Sequence, residues 1–187
     1  LALQLAQRSK GAADRLVLAG RSWEPPWYAA LAGRLAGLEC LRQGEAGRSR
    51  LVRALTWGAF DRDVGGDGSD FEWISRDATV VERYLADPWC GFQPSNGFWR
   101  DFLRDGLAEV FRPRALREVP ASLPVCLFAG DRDPVGHRGR GPARLASELR
   151  RAGARDVTLR LYPGARHDVL HETNREEVLQ GLLAWLA

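Results

Sequence analysis

Three short apolar runs constrain this chain more than any other feature. Leu16-Val17-Leu18-Ala19 is closed by Gly20, Val125-Cys126-Leu127-Phe128-Ala129 is bounded by Pro124 and Gly130, and Asp156-Val157-Thr158-Leu159-Arg160-Leu161-Tyr162 precedes Pro163-Gly164. The first two, with no polar alternation, read as strands buried on both faces, which is the mark of a parallel sheet between helices, and the third reads as the next strand. Helical patterns accompany them at Leu1 to Ser9, ended by Gly11, and at about 142–152, ended by Gly153. A last amphipathic helix spans 174–186, with Leu179, Leu182, Leu183 and Leu186 on one side. Between the first and second apolar runs the texture changes. Helical patterns there cover 26–43, 50–60, 76–86 and 97–111, punctuated by the Asp/Gly cluster 61–70, by Asp87-Pro88 and by Gln93-Pro94-Ser95-Asn96. Strand, helical block, strand, helix, strand, helix is the order of an α/β protein interrupted by an all-α insertion. The expected organisation is a core segment at 1–24, a helical insertion at 25–120 and a second core segment at 121–187.

Size and charge narrow the function. A chain of 187 residues fits one domain of ordinary size, or a large part of a bigger one. No stretch approaches the ~18 consecutive apolar residues of a membrane span, so no integral membrane segment is expected. The formal charge of +3 is spread over interleaved acids and bases, which makes a solvated surface and argues against a nucleic-acid partner. Cys40, Cys90 and Cys126 are far apart, with no C-x-x-C spacing and no Cys/His cluster. That excludes a zinc site or a disulfide framework and predicts reduced cysteines in a cytoplasmic protein. There is no methionine, and the chain opens at Leu1 inside an apolar helical pattern, so it is expected to be a fragment.

The chemistry-bearing residues follow the second and third apolar runs. Parallel α/β sheets present functional groups just past the carboxyl ends of their strands. The second run continues as Gly130-Asp131-Arg132-Asp133-Pro134, and the third as Tyr162-Pro163-Gly164-Ala165-Arg166-His167. One helix and one strand separate Asp133 from His167, so the two belong on adjacent strand ends. There a carboxylate can orient an imidazole as a general base. Alone, either aspartate reads equally well as a turn former after a strand, and His167 as a surface loop residue. Asp131 is expected in the turn. Asp168 and His171 neighbour His167 without sharing its frame, and His137 reads as incidental. Gly164 is expected to supply a positive φ.

Taken together, these segments resemble the C-terminal half of an α/β-hydrolase-fold serine hydrolase. They are most similar to the lysophospholipase and monoacylglycerol-lipase-like group, also described as serine aminopeptidase-like. The resemblance rests on Gly130 through Asp133-Pro134, on Tyr162, Gly164 and His167, on the terminal Trp185-Leu186, and on FEWISRD at 71–77 and DPWCGF at 87–92. It implies that Asp133 and His167 are the acid and base of a catalytic triad, that a small-molecule ester or lipid is the substrate, and that no cofactor or metal takes part. It also implies that 25–120 is a cap whose tryptophans line an acyl tunnel, although core packing explains any single tryptophan as well. One departure is plain: no serine here has glycine both two before and two after, as the nucleophile elbow of such enzymes requires. The resemblance therefore places the nucleophile upstream of Leu1. Three alternatives stay open: the same fold with an Asp nucleophile, as in epoxide hydrolases and dehalogenases; peptidase specificity; or a non-catalytic α/β-hydrolase-like binding protein.

Overall fold

A computed structural model describes residues 1–65 and 70–187. The Asp/Gly cluster expected at 61–70 therefore lies partly outside the described residues. The elements run α1 (Ala2–Arg8), β1 (Leu16–Ala19), α2 (Pro26–Gln43), α3 (Arg50–Leu55), α4 (Trp57–Val64), α5 (Ala78–Ala86), α6 (Asn96–Asp101), a π-helical segment (Phe102–Leu107), α7 (Ala108–Val110), α8 (Pro113–Arg117), β2 (Val125–Gly130), α9 (Arg140–Arg151), β3 (Val157–Tyr162), a 3-10 turn (Val169–His171) and α10 (Arg175–Leu186).

Among the described residues the three strands form one parallel sheet in the order β1-β2-β3. Leu16 sits opposite Val125, and Val125 opposite Val157, so the strands start in line; β1 stops at Ala19 opposite Phe128, while β2 and β3 run on together to Gly130 and Tyr162. β2 lies in the middle and all six of its residues are buried, which is why its sequence is apolar without alternation. Successive side chains of a strand point to opposite faces. Val125 and Leu127 accordingly join a core with Leu3, Leu116, Leu145 and Leu149, from α1, α8 and α9. Cys126 and Phe128 join the opposite core with Tyr162, Val169 and Val178, closed by Leu182 and Trp185 of α10. A helix layer thus covers each face of the sheet. Burying each large β2 side chain contributes roughly 1.5–3 kcal/mol.

The helical block between β1 and β2 departs from the expected patterns at 50–60 and at 97–111, and adds the unexpected short helix α8. The pattern at 50–60 breaks at Thr56, whose φ of −109° and ψ of −100° are not helical. The Thr56 hydroxyl donates to Val52 O at 2.8 Å, a back-bond that competes with helix continuation and ends α3. The pattern at 97–111 also departs from a uniform α-helix, widening into the π segment where it crosses α2. There Gly33 lies so close that a Cβ would come 3.0 Å from Arg104 N. Trp57, Phe60, Phe71, Trp73 and Tyr84 pack together and reach Val135, beyond the end of β2. Trp27 and Trp89, by contrast, are 69% and 84% exposed.

Candidate active site

The end of β2 and the loop after β3 are pressed together by backbone necessity. Arg132 N–H donates to Ala165 O at 3.0 Å, and Asp131 N–H to Tyr162 O at 3.2 Å. Gly130 leaves no room for a side chain, since a Cβ there would run into the carbonyls of Ala165 and Arg166. Gly20, at the end of β1, has φ +58°, and a Cβ would stand 2.8 Å from His167 O and 3.2 Å from its Cε1. Glycines at two adjacent strand ends therefore make the space that the His167 loop occupies.

Asp131 and Asp133 separate by role once the turn is formed. Asp131 Oδ1 accepts the N–H of Gly164 at 2.7 Å and so braces the turn after β3. Gly164 has the positive φ its place in that turn demands, +72°. Asp133 is fully buried. Its Oδ1 accepts the N–H of Val135 at 2.9 Å, which turns the carboxylate towards the histidine loop. Its Oδ2 lies 3.1 Å from Nδ1 of His167. A carboxylate oxygen opposite Nδ1 selects the tautomer protonated there and leaves the Nε2 lone pair available. Among the described residues Nε2 makes no hydrogen bond, and 31% of the side chain is exposed. The pair can therefore accept a proton from a group presented at Nε2.

The sequence did not reveal what holds the histidine from above. His167 N–H donates to Trp73 O at 3.2 Å, and Asp168 N–H to Ile74 O at 2.8 Å. The Trp73 ring leans on the imidazole, with centroids 5.3 Å apart. Glu172, fully buried, pairs with Arg76 at 2.8 Å. The 71–77 segment stood out in sequence only through its resemblance to relatives, and nothing local signalled that it would lie against residues nearly a hundred positions later.

The other histidines are engaged elsewhere. His171 Nδ1 is 2.8 Å from Asp168 Oδ2 on the surface. His137 Nε2 is 2.6 Å from Glu24 Oε1, and this hydrogen bond raises the imidazole pKa above its ordinary value. Burial pushes the Cys126 thiol up to about 11 and raises that of Cys90 as well. Among the described residues no hydroxyl or thiol side chain hydrogen-bonds to His167, and no group of His, Cys, Asp and Glu is arranged to hold a metal.

Residues 1–174 match the family described as Serine aminopeptidase, S33. A monoacylglycerol lipase of Mycolicibacterium smegmatis (strain ATCC 700084 / mc(2)155) is 33% identical over 122 residues, which are 63% of this chain and 39% of the relative. A thermostable carboxyl esterase from Bacillus coagulans, solved in complex with glycerol, superposes with a TM-score of 0.84 at 24% identity, over 99% of this chain and 60% of that one. A lipase in its open form gives 0.78 at 27% identity, over 97% and 59%. The chain thus spans about three fifths of the solved structures it matches. Its sheet and helices correspond to the C-terminal portion of the α/β-hydrolase fold.

Proposed function

Given that this chain belongs to the serine aminopeptidase S33 family, we propose that it is part of a carboxylic-ester hydrolase of the monoacylglycerol-lipase and lysophospholipase type. In this reading Asp133 and His167 are two members of a Ser-His-Asp triad, and the serine comes from residues that precede Leu1 in the parent protein. One observation carries the proposal: Asp133 Oδ2 and His167 Nδ1 stand 3.1 Å apart at adjacent strand ends, with Nε2 uncommitted. His167 Nε2 would take the serine proton as the hydroxyl attacks the ester carbonyl, then return it to the leaving alcohol. Asp133 would hold the tautomer and stabilise the imidazolium between the two transfers.

Residues 25–120 are then the cap and 1–24 with 121–187 the hydrolase core. The Trp73 ring against His167 and the bonds from Trp73 and Ile74 to the histidine loop support that division. The substrate would be a small ester or lipid, reached without a metal or cofactor. Among the described residues no helix is long and apolar enough to cross a membrane. The three free cysteines fit a reducing compartment, and a cytoplasmic location belongs to the proposal.

The test is to express the protein with its native upstream coding sequence and assay p-nitrophenyl esters, monoacylglycerols and aminoacyl-p-nitroanilides. Ester turnover with stoichiometric fluorophosphonate labelling is expected. Labelling with turnover of the anilides alone would replace the esterase reading by a peptidase. Absence of both labelling and turnover would refute the serine-hydrolase reading.

A further inference from the structure

The most heavily bonded buried group outside the Asp133–His167 pair is the carboxylate of Glu172. Its side chain has no exposure to solvent, and it accepts four N–H groups. Oε1 takes Arg166 N–H at 2.8 Å and Arg76 N–H at 3.1 Å. Oε2 takes Arg76 Nε at 2.8 Å and Thr173 N–H at 3.0 Å. Two of these donors, Arg166 and Thr173, bracket the loop that carries His167. The other two belong to Arg76, on the segment whose Trp73 and Ile74 carbonyls receive the N–H groups of His167 and Asp168.

Further bonds run between the same two stretches. Ser75 Oγ donates to His171 O at 2.8 Å, Arg166 Nη1 to Glu72 O at 2.6 Å, and Arg76 Nη2 to Asn174 Oδ1 at 3.0 Å. The Glu172 carboxylate binds both at once through its own oxygens. Burying a charge is expensive, and well-packed apolar side chains can hold two loops together as firmly. What a fully satisfied carboxylate adds is a fixed geometry, because four donors must converge on two oxygens.

We infer that Glu172 is a positioning residue for His167: with Arg76 it locks the histidine loop to the segment 72–76 and so sets where Nε2 points. It touches neither substrate nor imidazole, and it acts through the Arg166–His167 backbone. The inference rests on the triad reading for its effect on catalysis, though not for its effect on the imidazole.

The experiment uses the protein with its native upstream sequence, uniformly labelled with nitrogen-15, and the variant Glu172→Gln. Glutamine keeps the shape, but whichever oxygen it retains, its NH₂ faces two N–H donors at the other position. Because a misplacement of about 1 Å can cost a factor of 10², the expected loss in kcat is about 10- to 100-fold, with KM within about twofold. In long-range proton–nitrogen spectra, the single Nδ1–H tautomer of His167 should give way to a mixture. Arg76→Ala, which keeps the backbone donor at 76, should move both readouts less.

Leu149→Ala is the control, because it removes a buried core side chain far from this loop in function and lowers stability without touching the lock. Glu172→Gln with wild-type kcat and an unchanged His167 tautomer, whatever its melting temperature, would overturn the inference. So would Leu149→Ala reproducing both effects at matched loss of stability. If the wild type neither turns over esters nor takes a fluorophosphonate, the triad reading fails. The tautomer of His167 in wild type against Glu172→Gln still decides the positioning role.

Discussion

Replacing Gly20 by alanine tests whether the space at the end of β1 is there for the histidine. Gly20 adopts φ +58°, where an L-residue costs about 1–2 kcal/mol. For a domain of this size that cost corresponds to a melting point lower by about 2–8 °C. The added Cβ would also stand 2.8 Å from His167 O, 3.2 Å from Cε1 and 3.3 Å from Nδ1. Real Cβ atoms essentially never approach below 3.0 Å, so the His167 backbone must retreat by a few tenths of an ångström. Scaling from a 10² loss for a 1 Å misplacement, kcat should fall about 3- to 10-fold. Gly11→Ala supplies the comparison. Gly11 also has a positive φ, +79°, but a Cβ there meets nothing within 4 Å. It should therefore carry the backbone cost without the catalytic one. The assay is thermal and urea unfolding together with ester hydrolysis, on the protein with its upstream sequence. If both variants keep wild-type kcat, the close approach at Gly20 does not set the position of His167 and the reasoning fails.

Three further predictions follow from the same structure. Asp133→Asn should cut kcat by about 10⁴ through loss of the tautomer while keeping an oxygen for Val135 N–H. Asp131→Asn keeps an acceptor for Gly164 N–H and should be far milder, and a reversal of these two phenotypes in steady-state kinetics would transfer the acid role to Asp131. Gly37→Ala, inside α2 with only ordinary contacts to Arg100 at 3.9 Å, should raise stability by about 0.5–1 kcal/mol in urea unfolding, and a loss would contradict it. His137 has its pKa raised by Glu24, so the folded state binds its proton more tightly than the unfolded state does. That contribution is fully present below about pH 6.5 and is lost as pH rises through the raised value. His137→Gln should therefore lower the melting temperature at pH 5.5 more than at pH 8.5, and equal losses at both would remove the linkage.

Local patterns were enough for the sheet. β2 is buried on both faces, so its apolarity is continuous, and Pro124 and Gly130 mark its ends in the sequence itself. Parallel topology followed from helices lying between strands, and it placed Asp133 and His167 on neighbouring strand ends. Helix boundaries were legible to within a few residues wherever a local cap or breaker acts, as at Asp77, whose side chain accepts Thr79 N–H, and at Gly153. The break at Thr56 was not, because Thr occurs inside helices as well, and whether its hydroxyl ends one depends on the conformation it finds.

Tertiary structure decided the rest, because the partner of a buried polar group is chosen by packing and leaves no local period. Asp131 and Asp133 are chemically the same residue two positions apart. The resemblance had set Asp133 apart in the sequence, but it is the turn of the strand end that gives Asp131 to Gly164 and Asp133 to His167. Arg76 and Glu172, 96 positions apart, carry no local mark of each other until the fold buries the glutamate and brings four N–H groups to satisfy it. The tryptophans show the same division. That six of the seven fall between Trp23 and Trp99 is written in the sequence. That Trp73 lies on the imidazole while Trp89 lies in water is a property of the fold, since one aromatic ring carries no mark of the surface it will meet.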